Sequence, residues 1–140
     1  MTWQAYAAIS ALAAGATAVF AKAGLSDVPP HLGNAVRTAM VLVLATAIVV
    51  ATGEHRHFPE MSRRGWGFLA LSGLATAVSW VAYFKALSMG NATPVTAIDK
   101  ASLVVTLLLS ALFLREAFGW RTGLGVGLIV GGALLVSTEK

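Results

Sequence analysis

Asp99 and Lys100 stand side by side in PVTAIDKASLVVTLLLSAL, the stretch from Pro94 to Leu112, whose other residues are mostly suited to hydrocarbon. A charged side chain at the centre of a bilayer costs at least about 2.5–3.5 kcal/mol, so an ionisable residue inside a span is first read as a proton, ion or substrate site. On a helix opened by Pro94 the pair lies about 8–9 Å inside, at 1.5 Å per residue. Asp99, Ser102, Thr106 and Ser110 then follow at steps of three and four, forming one polar stripe with Lys100 on its shoulder. Sequence neighbours do not face each other on a regular helix, so each charge is expected to seek another partner, with Arg37 and Lys85 the candidates. Asp99 is too short to reach water from within the span. It is either half of a structural ion pair fixing helix register or a group that meets substrate or proton.

Arg37 and Lys85 lie near helix ends, where long side chains either snorkel to the interface or contact a ligand. A second stripe, Ser72, Thr76, Ser79 and Tyr83, runs along the preceding apolar segment. Serine and threonine in such helices commonly bond to their own backbone or to neighbouring helices. Trp80 lies far from either interfacial belt, and it serves core packing or lines a cavity. Gly123, Gly127 and Gly131 recur every four residues, a period that lets two helix backbones approach within a protomer or between two. His31, His55 and His57 lie in loops without a carboxylate or thiolate array, so no metal site is expected. No Walker loop, dinucleotide fingerprint, GxSxG or HExxH is present, and neither an enzyme nor a cofactor is expected.

The elements that position these residues follow from composition. Of 140 residues 57% are hydrophobic and 11% charged, against about a quarter charged in soluble domains. A membrane helix needs about 20 mostly apolar residues, and five such runs are expected, over about 3–23, 32–52, 66–88, 94–114 and 120–136. The fold class is therefore an all-α integral membrane protein, a bundle of five transmembrane helices forming a single domain over 1–140. The net charge of +4 is scattered rather than gathered on one face, which argues against nucleic acid as a partner. With alternating spans one side collects Arg56, Arg63, Arg64, Arg115 and Arg121. The other has Lys22 and Lys140, with Arg37 and Lys85 if these reach the surface. The weighting favours a cytoplasmic N-terminus by a narrow margin, compatible also with insertion in both orientations. Without cysteine, disulfides and thiolate metal sites are excluded.

GLATAVSWVAYFKALSMGNATPVTAIDKASLVVTLLLSALFLREAFGWRTGLGVGLIVGGALL, from Gly73 to Leu135, resembles the EamA domain of the drug/metabolite transporter superfamily, and in particular its short, single-domain bacterial members. The most specific parts are Tyr83 to Val95, the IDKAS of Ile98 to Ser102, and the ending in which Glu116 stands at the family's helix-four terminal acid. Arg37 after the proline pair also fits. Arg115 departs from the pattern, since many relatives have glycine there.

The resemblance implies half of a ten-helix transporter, whose two five-helix halves are inverted and enclose a cavity for metabolites. An odd number of spans is what inverts the second copy. It implies a multi-pass protein of the bacterial inner membrane, surrounded by lipid. Its function would be that of a secondary transporter, an exporter or exchanger of a small-molecule substrate, acting as a homodimer, antiparallel in the arrangement the charge bias allows. The substrate or coupling residues would be Asp99, Lys100, Arg37, Lys85, Trp80, Tyr83, Ser79, Ser102 and Thr106. Helix one has no acid, so the proton-exchange glutamate of the superfamily's four-helix multidrug exporters has no counterpart. The rival reading is a non-transporting membrane subunit or a component of a lipid-carrier flippase.

Overall fold

The computed structural model describes residues 2–138, and Lys140 of the charge comparison lies outside them. The order is α1 (Trp3–Gly24), α2 (Pro30–Thr52), a 3₁₀ segment (Glu54–Glu60), α3 (Arg63–Met89), α4 (Ala92–Asp99), α5 (Ser102–Leu109) running into a π turn (Ser110–Leu114), and α6 (Trp120–Thr138). No strand occurs among the described residues. Five stretches are long and apolar enough to cross a membrane: α1, α2, α3, α6 and the composite Ala92–Leu114.

Local chemistry explains where the helices start and stop. Pro30, not Leu32, opens α2, because proline at the first helical position gives up only an orphan donor. Gly53 ends α2 in the left-handed conformation at φ 76°, its N–H reaching the Val50 carbonyl at 3.2 Å. Helix α3 starts at Arg63 rather than Trp66 because Ser62 Oγ accepts the Gly65 N–H at 3.0 Å, a serine cap. Asn91 occupies the cap position of α4, which puts Pro94 within the first turn, where a missing N–H is tolerated. The fourth span is not the single regular helix its hydropathy suggested. It breaks at Lys100–Ala101 and ends at Arg115, which takes φ 56° and ψ 32°, the left-handed region that favours glycine.

The chain forms two compact units. One joins the residues up to Lys22 with those from Met89 onward, and the other runs from Ala23 to Ser88. In the first, α4 packs on α6, Ala18 and Ala133 are buried, and Lys22 Nζ donates to the Gly90 carbonyl at 2.8 Å. In the second, Phe84 and Leu87 of α3 are buried, whereas α2 from Thr38 to Thr52 and α3 from Trp66 to Ser79 stay exposed. Hydrocarbon tails are as apolar as leucine, so lipid contact carries none of the penalty these faces would meet in water.

Candidate functional site

The first cluster lies in the unit spanning residues 23–88, where α2 meets α3. Gly33 lets the helices approach: a Cβ there would stand 2.9 Å from Leu25 Cδ2 and 3.7 Å from Phe84 Cε1. One turn further along α2, the Arg37 guanidinium lies 3.8 Å above the centre of the Trp80 ring, and 5.8 Å from that of Phe84. Gly33 meets Phe84 and Arg37 meets Trp80, so a step of four forward on α2 matches a step of four back on α3. That is antiparallel packing.

The guanidinium is held on an indole face, its preferred aromatic partner, and no carboxylate of this unit pairs with it. Asn34, three residues earlier on α2, keeps its side-chain oxygen buried and without a hydrogen bond. Tyr83 packs its ring against Phe84 with centroids 6.4 Å apart. Lys85 and Ser79, by contrast, are exposed on α3. Thr76 spends its hydroxyl proton on the Ser72 carbonyl at 2.9 Å, so this part of the α3 stripe serves its own backbone.

The second cluster lies in the other unit, at the break in the fourth span. Lys100 Nζ sits 3.8 Å from Asp99 Oδ2. This corrects the expectation that sequence neighbours would not pair. The contact is made by the long, flexible lysine side chain, which curls back to its neighbour's carboxylate although the two side chains leave the backbone in different directions. The backbone also tightens here: Lys100 N–H bonds to Ala97 O at 3.0 Å, Ala101 to Ile98 at 2.9 Å, Leu103 to Lys100 at 3.1 Å and Val104 to Ala101 at 3.0 Å, a short run of i→i−3 bonds. At 3.8 Å the contact is a loose ion pair, longer than a charge-assisted hydrogen bond.

The Asp99 and Lys100 side chains are 42% and 49% exposed. Seven residues beyond the start of α4, Asp99 lies about 10 Å along the span. Ser102 and Thr106 are exposed on α5, and Thr106 donates to the Ser102 carbonyl at 3.1 Å. Both 3₁₀ and π turns inside helices accompany functional sites and hinges, and this span holds one of each.

Two positioning contacts were missed in the sequence, the first of them without any signal there. Lys22, weighed there only as a loop charge, reaches across 68 positions to the Gly90 carbonyl, beside the end of α3. Ser62 could have been recognised as a cap from its place before Arg63. A Cβ added at Gly123, Gly127 or Gly131 would meet nothing within 4 Å, so among the described residues none approaches α6 closely at this glycine period.

Five stretches long and apolar enough to cross a membrane, the fourth of them jointed, describe a multi-pass membrane protein. The sequence profile of the EamA-like transporter family matches residues 1–138. The chain belongs to that family. A curated relative from Sinorhizobium sp., described as "Uncharacterized transporter in cobO 3'region", is 44% identical over 136 residues, which cover 97% of this chain and 96% of the relative. No solved structure matches the chain.

Proposed function

We propose that this protein is a secondary transporter of small polar metabolites bearing a carboxylate, an exporter or exchanger of the bacterial inner membrane, working by alternating access as a homodimer. The observation that carries the reading is Arg37: a guanidinium seven residues inside a membrane span, stacked on Trp80 and unmatched by any carboxylate of its own unit. A cation held at that depth is tolerated when an anion or water meets it, and a cargo carboxylate supplies the bidentate partner for which a guanidinium is shaped.

The unpaired Asn34 oxygen, three residues away on the same helix, offers an acceptor for an N–H group of the cargo. A buried amide oxygen left without a donor costs about 1–3 kcal/mol. Asp99, held to Lys100 by a loose contact, is the coupling or second substrate group, with Ser102 and Thr106 below it on the same stripe. Tyr83 and Trp80 shape the apolar wall, while Ser79 and Lys85 line the approach.

A second copy is part of this reading because one chain leaves Asp99 42% exposed and most of α2 uncovered. Inverted copies of an odd-span unit reproduce the architecture of the ten-helix relatives. The open faces of Gly123, Gly127 and Gly131 are surfaces on which two backbones can meet closely. Exposed faces of this kind also suit a subunit that serves a foreign chain, and purification separates the two. A stable homodimer supports transport, and dependence on another protein supports the subunit.

The functional test is proteoliposome uptake and counterflow across a panel of amino acids and organic acids, with Arg37→Gln and Asp99→Asn beside the wild type. Removing a charge-assisted contact worth about 1.5–3 kcal/mol lowers uptake at subsaturating substrate about 10-fold to 150-fold in each variant. Uptake unchanged in Asp99→Asn removes that residue from the mechanism, and uptake unchanged in Arg37→Gln removes the carboxylate reading.

A further inference from the structure

The segment joining α2 to α3, with the first residues of α3, carries arginines that the proposed transport site leaves out. Gly53 turns the chain immediately after Thr52, and α3 begins at Arg63, so the intervening 3₁₀ segment Glu54–Glu60 joins the ends of two stretches long and apolar enough to cross a membrane, where headgroups are expected. At about 2 Å per residue this segment is about 14 Å long. From Glu54 to Arg64, Arg56 and the first two residues of α3, Arg63 and Arg64, stand against two carboxylates, Glu54 and Glu60. Glu60 Oε2 is occupied by His57 Nδ1 at 2.9 Å. Arg56, Arg63 and Arg64, in contrast, have no carboxylate within ion-pair distance among the described residues.

Beside them Phe58 and Trp66 pack edge to face, with centroids 5.1 Å apart and planes at 82°, yet they remain 60% and 45% exposed. Arg64 also lies 5.7 Å from the Phe68 ring centre. An exposed aromatic pair is at home at the headgroup level, where its rings meet glycerol and upper acyl chain. Three arginines within nine residues of chain, none in an ion pair, leave positive charge that an anion can meet, and arginine matches phosphate in a planar, bidentate fashion. The anion present at that depth in quantity is the phosphodiester of a lipid, and a headgroup of net negative charge leaves it unneutralised.

We propose that this segment is a binding site for an anionic phospholipid. Arg56, Arg63 and Arg64 hold the headgroup phosphate, and Phe58 and Trp66 hold the glycerol and upper acyl region. A basic residue close to an anionic surface contributes about fivefold in affinity, so the three together prefer an anionic lipid over a zwitterionic one by about 100-fold.

The test is carried out on the full-length protein in nanodiscs of phosphatidylcholine containing a small fraction of phosphatidylglycerol. Lipid that survives extraction and gel filtration is counted by native mass spectrometry. Wild type is expected to retain phosphatidylglycerol and to exchange phosphatidylcholine freely, whereas Arg56→Gln/Arg63→Gln/Arg64→Gln loses the preference. Arg115→Gln/Arg121→Gln, a charge change elsewhere in the chain, keeps it.

Inorganic phosphate at millimolar concentration does not displace the lipid, because it lacks the apolar part that Phe58 and Trp66 hold. If the triple variant does not fold, Arg63→Gln alone reads out the same site with about a fivefold drop. Equal retention in wild type and the arginine variants overturns the proposal, as does an equal loss in Arg115→Gln/Arg121→Gln. Displacement by inorganic phosphate assigns the arginines to a free anion instead and likewise overturns the lipid site.

Discussion

The stacking of Arg37 on Trp80 can be weighed by a double-mutant cycle. Arg37→Met removes the charge while keeping an unbranched side chain, and Trp80→Leu removes the ring while keeping an apolar group on α3. Cation–π contacts contribute about 0.5–1 kcal/mol when exposed and about 2 kcal/mol when desolvated. Here the guanidinium carbon lies 3.8 Å from the ring centre, a second ring stands at 5.8 Å, and both partners are half-buried. The coupling is therefore expected at about 1–2 kcal/mol.

The assay is reversible unfolding in mixed micelles of mild detergent and dodecyl sulfate, read by helix content, for the wild type, both single variants and the double variant. Residues that do not interact add to within about 0.3–0.5 kcal/mol. An Arg37 that reached past Trp80 to the headgroups would be lost independently of the ring. A coupling under about 0.5 kcal/mol would thus refute the contact, and with it the claim that α3 presents this guanidinium to cargo. In transport, Trp80→Leu is expected to raise the half-saturating substrate concentration more than it lowers the maximal rate.

Other outcomes follow from single contacts. Arg115 occupies the left-handed region, which costs a residue with a Cβ about 1–2 kcal/mol. Arg115→Gly is therefore expected to be more stable than Arg115→Ala by about 1 kcal/mol, the two variants losing the same charge. Equal stability in the same unfolding assay would argue that the turn is not left-handed. Lys22→Met removes the 2.8 Å bond to the Gly90 carbonyl and is expected to cost about 1–3 kcal/mol, as for other charged donors. Faster deuterium exchange at the start of α4 would accompany it, and unchanged exchange would mean that the bond does not position that helix.

Much of the architecture was legible before any coordinates. Whether a segment suits lipid depends on a sum over about 20 consecutive residues, so the count of five spans, the all-helical class and the lipid-facing character could be read along the chain. Caps are nearly as local. Gly53 follows the expected end of α2 at Thr52, although α2 opens at Pro30, two residues before the expected Leu32, and Ser62 moved the start of α3 three residues ahead of the apolar run. The likeness to the EamA domain was visible in the same way, as a string of residue types at fixed spacing, and the family match over residues 1–138 establishes it.

Partners were a different matter. Sequence spacing named Arg37 and Trp80 as separate candidates, but only the antiparallel register set at Gly33 puts one over the other. Lys22 could not be tied to Gly90 from a distance of 68 positions. The pairing of Asp99 with Lys100 runs against the expectation that neighbours on a helix face apart, and it depends on the rotamer of one flexible lysine, which spacing does not fix. Hydropathy and capping are properties of a short stretch of chain, and sequence determines them unaided. Which charge meets which ring, carbonyl or neighbour depends on helix register and on side-chain rotamer, and those were decided only by the tertiary structure.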